Sequence, residues 1–130
     1  MEKQTHLDTE RFKNKIEEEL KLLLEELKEL GRINPDNPND WEAVQEDLNV
    51  LEADPNEVAD KMEEFEIDSA TLHEIEIRYK EMQKALERIE NGSYGIDEVD
   101  GDVIPANRLE ANPAARTKIE NVYKVDVIQE

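Results

Sequence analysis

The stretch that decides the fold is DPNEVADKMEEFEIDSATLHEIEIRYKEMQKALERIENG, residues 54–92, which predicts one long helix with both ends marked. Asp54 is a favourable N-cap, Pro55 suits the first helical position, and Glu57 stands where a capping box needs it. Gly92 is suited to the C-cap because it lacks a Cβ. Apolar residues recur at seven-residue intervals, as in a coiled coil: Val58, Phe65, Leu72, Tyr79 and Leu86, accompanied by Met62, Ile75, Met82 and Ile89.

A helix from residue 55 to 91 would be about 50 Å long and needs a partner of similar length. Residues 8–30 can supply one, because their apolar residues are spaced three or four apart on one helical face: Phe12, Ile16, Leu20, Leu23, Leu27 and Leu30. Gly31 then predicts a left-handed C-cap that ends this helix. The two stripes together predict a long antiparallel two-helix coiled-coil hairpin.

The segment between the helices predicts a tip loop of about residues 31–55. Residues 32–40, RINPDNPND, contain two prolines among Asn and Asp residues, which favour turns over a continuous hydrogen-bond ladder. Residues 41–53 fit either a short helix or a packed irregular stretch. Trp41 either packs against the end of the coiled coil or covers the tip and binds a partner.

After Gly92 the sequence changes character, because short apolar pieces alternate with glycines and prolines. Pro105 to Glu110 predicts one or two turns of helix, and the alternation from Tyr123 to Ile128 predicts a short terminal strand. We therefore expect a mainly α protein with a coiled-coil hairpin over residues 1–91 and a small separate module over residues 92–130.

The composition excludes several functions. With 16 Lys and Arg against 35 Asp and Glu, the net charge is −19, which disfavours binding to DNA, RNA or an anionic membrane surface. There is no cysteine, which excludes disulfides and thiolate-bound metals but does not indicate a compartment. Residues 1–7 are polar, and no apolar run approaches the roughly 18 residues of a membrane span, so a cytoplasmic protein is expected. His6 and His73 have no catalytic or ligand partner at a suitable spacing and are expected to face solvent. We therefore predict a protein without enzymatic activity or cofactor.

Three segments together point to a known family: ALERIENGSYG (85–95), IDEVDGDVIPANRLEANPAART (96–117) and DPNEVA (54–59). They resemble the DksA/TraR family, bacterial regulators that bind RNA polymerase through its secondary channel, and DPNEVA is similar to the family's acidic coiled-coil tip. The resemblance implies a regulator that binds RNA polymerase and alters initiation, with Asp54, Glu57 and Ala59 as the tip residues that contact polymerase. The tip acids are equally consistent with helix capping, and Ala59 with simple helix formation.

The sequence departs from the family where zinc-containing members have two CxxC pairs. By the resemblance, the former zinc-ligand positions are Asp97, Asp100, Lys118 and Asn121. A protonated lysine has no lone pair for a metal, so we expect no zinc, and the module is a degenerate, zinc-ribbon-like fold. Asp97 and Asp100 could instead hold a hard cation, but a salt bridge from one of them to Lys118 is favoured.

Other functions remain open at the level of sequence. A coiled-coil adaptor that kept the shape but lost polymerase binding is the main alternative, and a transcript-cleavage factor is a weaker one. An alarmone nucleotide is a further candidate partner, but no sequence feature supports one. Basic residues on the second helix fit either pairing with Glu one turn away or contact with an acidic channel rim or an alarmone: Arg78, Lys80, Lys84 and Arg88.

Overall fold

The computed structural model describes residues 8–44 and 54–124 and is mainly helical, as predicted. The elements, in order, are α1 (Thr9–Leu30), β1 (Gly31–Asn34), β2 (Asn37–Ala43), α2 (Pro55–Asn91), α3 (Ala106–Ala111) and a 3₁₀ helix (Ile119–Lys124). The chain divides into a central unit of residues 21–79 and a terminal unit of residues 1–20 and 80–130. Within the described ranges, no helix is long and apolar enough to cross a membrane.

Both long helices have the predicted boundaries. Helix α1 begins one residue after Asp8, whose carboxylate accepts a 3.1 Å hydrogen bond from the Arg11 backbone N–H and caps the helix. Helix α2 spans Pro55–Asn91 as expected, and Gly92 follows it with φ of 86°, the left-handed conformation of a C-cap.

The apolar stripes are confirmed in most positions. On α1, Phe12, Ile16, Leu23 and Leu27 are buried. The α2 stripe is mostly half-buried, with Leu72 and Met82 the fully buried members. The prediction for Met62 is wrong, because 52% of its surface is exposed. Helix α2 therefore buries its apolar face unevenly along its length.

The loop predicted over residues 32–40 is wrong, because β1 and β2 pair there as an antiparallel hairpin. Asn34 starts the turn, and its side-chain oxygen accepts a 2.8 Å hydrogen bond from the Asp36 N–H. The register shifts between the pairs Ile33–Trp41 and Asn34–Asn37. Such a bulge accommodates Pro38, which has no N–H to donate to the ladder.

Trp41 begins the part of residues 41–53 for which a helix or an irregular stretch was predicted. Residues 41–43 instead belong to β2, so both alternatives are wrong there, and residues 45–53 lie outside the described residues. The Trp41 side chain is half-buried, and its backbone N–H donates a 3.2 Å hydrogen bond to the Glu76 carboxylate on α2. Trp41 thus lies against α2, within the central unit.

Gly31 ends α1 for a different reason from the one predicted. Its φ is not positive, so the expected left-handed cap is wrong. A Cβ at this position would collide with the Glu42 carbonyl oxygen and lie 2.9 Å from Leu72 Cδ2. Glycine is required because β1 starts immediately after α1 and passes close to both β2 and α2.

The terminal unit has its own apolar core. Its fully buried side chains include Phe12, Ile16, Met82, Ile104 and Leu109. The ring of buried Tyr94 lies 6.0 Å from that of Phe12, and its hydroxyl donates a 2.7 Å hydrogen bond to the Pro113 carbonyl. The short helix predicted from Pro105 is confirmed as α3, with Pro105 at its N-cap.

The predicted strand over Tyr123–Ile128 is wrong at its start, because Tyr123 and Lys124 lie in the 3₁₀ helix. An Asn121 N–H to Lys118 carbonyl bond of 3.0 Å closes the first turn of that helix. Residues 125–128 of the predicted strand lie outside the described residues, as does His6. His73 is exposed, as expected.

Candidate functional site

Four side chains, all predicted from the resemblance, meet at one centre in the terminal unit. They are Asp97, Asp100, Lys118 and Asn121, which we call the Asp97 cluster. The two aspartates lie on the turn between the paired residues Ile96 and Val103, and the other two flank the start of the 3₁₀ helix. The cluster therefore connects two segments about 20 residues apart in sequence.

Asp97 is the buried centre of this cluster, with 1% of its surface exposed. One carboxylate oxygen accepts the backbone N–H groups of Val99 at 2.7 Å and Asp100 at 3.2 Å. The other accepts the Lys118 backbone N–H at 2.8 Å and the Asn121 side-chain N–H at 2.9 Å. Four donors fill the four lone-pair positions of the carboxylate, so Asp97 is fully hydrogen-bonded.

Asp100 completes the cluster at its solvent side. Its Oδ2 accepts a 2.9 Å hydrogen bond from the Asn121 amide nitrogen and lies 2.8 Å from the Lys118 ammonium. Lys118 also pairs with Asp102 at 3.2 Å. The predicted salt bridge between an aspartate and Lys118 is therefore confirmed for Asp100. Asp102 was not predicted as a partner of Lys118, although its position two residues after Asp100, in the sequence DGD, could have indicated it.

The protonation states of the cluster follow from these contacts. Burial alone would raise the pKa of Asp97, but hydrogen bonds from Asn121, Lys118, Val99 and Asp100 together lower it. The pKa of Asp100 is lowered to about 2, mainly by the bond between Asp100 and Lys118 and secondly by a backbone hydrogen bond to Asp100. The same pairing raises the pKa of Lys118. At neutral pH the cluster holds two carboxylates and one ammonium.

This set of donors and acceptors does not fit a zinc ion. Zinc needs four groups with lone pairs directed at one point, whereas Lys118 and Asn121 direct N–H groups inwards. The Asp97 oxygens are already saturated by four N–H groups. Throughout residues 8–44 and 54–124, no group of three or more His, Cys, Asp or Glu side chains is arranged to hold a metal.

The predicted tip residues lie at the start of α2, and all three are exposed: Asp54, Glu57 and Ala59. Asp54 caps the helix, since its carboxylate accepts a 2.9 Å hydrogen bond from the Asn56 N–H and its carbonyl accepts the Val58 N–H at 3.0 Å. Within the described part of the chain, the Glu57 carboxylate makes no hydrogen bond. The second half of the expected capping box is thus missing there.

The central unit also has an open groove between β2 and α2, of about 330 Å³. Trp41, Phe65 and Leu72 are among the residues that line it, together with the carboxylate of Glu76, which is 5% exposed. Sequence reasoning missed Glu76. Its spacing of four residues from Leu72 was the available signal, because residues i and i+4 share a helical face.

Arg88 on α2 makes a contact that differs from both predicted alternatives, which were pairing with Glu one turn away and contact with an acidic channel rim or an alarmone. Arg88 is half-buried, and its guanidinium donates a 3.2 Å hydrogen bond to the Ala114 carbonyl, across 26 residues of sequence. Burial lowers the pKa of Arg88, against the opposing charge of Glu98. Arg88 thus ties the end of α2 to the segment that follows α3.

Comparisons with known proteins place this geometry in a known fold. DksA2 from Pseudomonas aeruginosa, a transcription factor, superimposes with a TM-score of 0.55 at 19% identity, over 92% of this chain and 78% of that one. The chain has a DksA-like fold. Dks from Chlamydia trachomatis L2 (LGV434), described as an RNA polymerase binding protein and transcriptional regulator, is 30% identical over 57% of this chain and 92% of its own. Its TM-score is 0.38, too low to support the fold assignment.

At the level of sequence, the uncharacterized protein YteA of Bacillus subtilis (strain 168) is 36% identical over 110 residues. The match covers 84% of this chain but 45% of YteA, so the chain spans less than half the length of this curated relative. No family model matches the sequence. The DksA-like fold therefore stands on the structural comparison, and YteA shares sequence with most of the chain.

Proposed function

We propose that this protein is a transcription regulator that binds RNA polymerase in its secondary channel, as a DksA/TraR-like variant without the zinc-finger cysteines. In this role, Asp54 and Glu57 approach the polymerase active site and modulate initiation, and Ala59 allows close approach. The protein would act by binding and would catalyse no reaction. The DksA-like fold, combined with the family's tip motif at the start of α2, is the observation that carries the proposal.

The exposure of the tip acids supports this role. Asp54 uses its carboxylate to cap α2, but an exposed carboxylate has further lone pairs available to a partner. Glu57 is exposed and has no partner among the described residues. Because the chain carries a net charge of −19, electrostatic attraction favours a basic protein surface over a nucleic acid.

The adaptor alternative drew its support from the loss of the zinc ligands. The Asp97 cluster closes the same region with hydrogen bonds, so loss of the cysteines does not by itself imply a collapsed module. That alternative is left without a specific observation in its favour. The regulator and the adaptor predict different results in the same binding experiment with RNA polymerase.

The test is a pull-down with bacterial RNA polymerase at low salt, followed by in vitro transcription. Asp54→Asn is the informative variant, because Asn caps a helix as well as Asp but has no charge. Asp54→Ala removes both cap and charge, and Glu57→Gln removes the second tip charge. Glu66→Gln, an exposed change on the same helix, is the matched control.

We expect parent and Glu66→Gln to bind and alter transcription equally. Asp54→Asn and Glu57→Gln should still bind but lose most of the effect on transcription. Absence of binding by the parent would refute the proposal and favour the adaptor. If both charge-removing variants alter transcription as the parent does, the tip acids are helix-capping and surface residues only.

A further inference from the structure

We propose that the Asp97 cluster closes the C-terminal module of this chain without a metal, and that Asn121 is the residue that joins its two carboxylates. The module would then fold to its final form in the complete absence of zinc. This closure of residues 92–124 does not depend on polymerase binding.

Direct bonds connect the two chain segments that meet in the Asp97 cluster. A structural zinc ion joins four residues from two segments of chain, and the Asp97 cluster joins the same two segments by direct bonds. Four bonds of 2.9 Å or less connect Asp97 and Asp100 to Lys118 and Asn121 across 18 to 24 residues, and the Asp97–Asn121 bond is buried. A backbone bond of 3.0 Å from Glu98 to Arg116 runs beside them. The two segments are therefore connected at several points without an ion.

Hydrogen-bond donors and acceptors match in number at the centre of the cluster. An amide nitrogen has two hydrogens, and Asn121 directs one to Asp97 and one to Asp100, each at 2.9 Å. A serine or cysteine has one hydrogen, and an aspartate would add a third negative charge. Among the described residues, no buried side-chain nitrogen or oxygen is left without a hydrogen bond. The centre is thus fully satisfied by the protein itself.

Asn121 is buried within an otherwise exposed 3₁₀ helix. Asn121 is 5% exposed, whereas its neighbours Ile119 and Tyr123 are 70% and 87% exposed. An apolar face turned outwards and a polar side chain turned inwards reverse the usual arrangement of a surface helix. The hydrogen bonds to Asp97 and Asp100 explain this reversal, because they hold the 3₁₀ helix by its polar residue.

The experiment compares thermal unfolding of the full chain after dialysis against EDTA and after addition of one equivalent of zinc. The variants are Asn121→Asp, which is nearly isosteric, and Lys118→Met, which keeps the backbone N–H to Asp97 but removes the ammonium. Glu120→Gln is the control, because Glu120 is an exposed residue of the same 3₁₀ helix as Asn121. Metal content is measured on the parent by mass spectrometry.

We expect the parent to contain no stoichiometric metal and to unfold at the same temperature with EDTA or zinc. Asn121→Asp should lower the melting temperature by on the order of 10 °C, Lys118→Met by less, and Glu120→Gln by under about 2 °C. In the parent, NMR should show a slowly exchanging Asn121 side-chain amide. Stabilisation by zinc, one bound metal per chain, or an Asn121→Asp variant as stable as Glu120→Gln would overturn the inference.

Discussion

Replacement of Gly31 by alanine tests the tight junction between α1 and β1. The added Cβ would meet the Glu42 carbonyl oxygen first, then Leu72 Cδ2 at 2.9 Å and the Glu42 carbonyl carbon at 3.0 Å. The leucine side chain can rotate away, but Glu42 belongs to the strand that pairs with β1. The backbone of the hairpin must therefore move, or the pairing of Gly31 with Ala43 must break.

Gly92 provides the matched comparison. Its φ of 86° strains any residue with a Cβ, but a Cβ there would meet no atom within 4 Å. We expect Gly92→Ala to cost about 1 kcal/mol, the usual penalty for the left-handed conformation. Gly31→Ala combines overpacking with backbone displacement and should cost about 2–4 kcal/mol.

Asparagine separates the two mechanisms, because it tolerates positive φ better than alanine but is larger. Gly92→Asn should be more stable than Gly92→Ala, whereas Gly31→Asn should be no more stable than Gly31→Ala. The free energy of unfolding is measured by urea titration. Hydrogen exchange of the Val44 amide, which bonds to the Leu30 carbonyl, reports on the hairpin directly. The reasoning is refuted if Gly31→Ala costs no more than Gly92→Ala, or if asparagine rescues position 31.

Two further predictions concern the terminal unit. The pKa values of Asp97 and Asp100 lie below those of the unfolded chain, so the stability that these carboxylates contribute is complete above about pH 4 and is lost as pH falls towards 2. NMR of the Asn121 side-chain amide would follow this loss, and an amide signal unchanged down to pH 2 would contradict it. Burial raises the pKa of Tyr94 to about 12, so its phenol should stay protonated at pH 10.5 in an absorbance titration of the folded protein. Tyr94→Phe should lower the free energy of unfolding by about 1 kcal/mol, because it leaves the Pro113 carbonyl unpaired. Phenolate formation at Tyr94 by pH 10.5, or a Phe variant as stable as the parent, would contradict these expectations.

The boundaries of α2 could be predicted because they depend on local chemistry. Asp54, Pro55 and Gly92 satisfy or terminate backbone bonds within one turn of their own positions, and the structure has α2 between them. The hairpin after α1 could not be predicted in this way. Its strands depend on pairing between Ile33 and Trp41 and on contact with Leu72, and turn-forming residues conceal that pairing in the sequence.

The sequence by itself determined which residues would meet in the terminal unit, because the resemblance named all four positions of the Asp97 cluster and the absence of cysteine excluded a thiolate site. Only the tertiary structure decided what those residues do together. Asp97 is buried, and Asn121 bridges two carboxylates. The Lys118 ammonium pairs with Asp100, whereas the Lys118 backbone N–H bonds to Asp97. The physical reason is that hydrogen-bond partners and burial depend on segments far apart in sequence being brought within 3 Å, which no local pattern specifies.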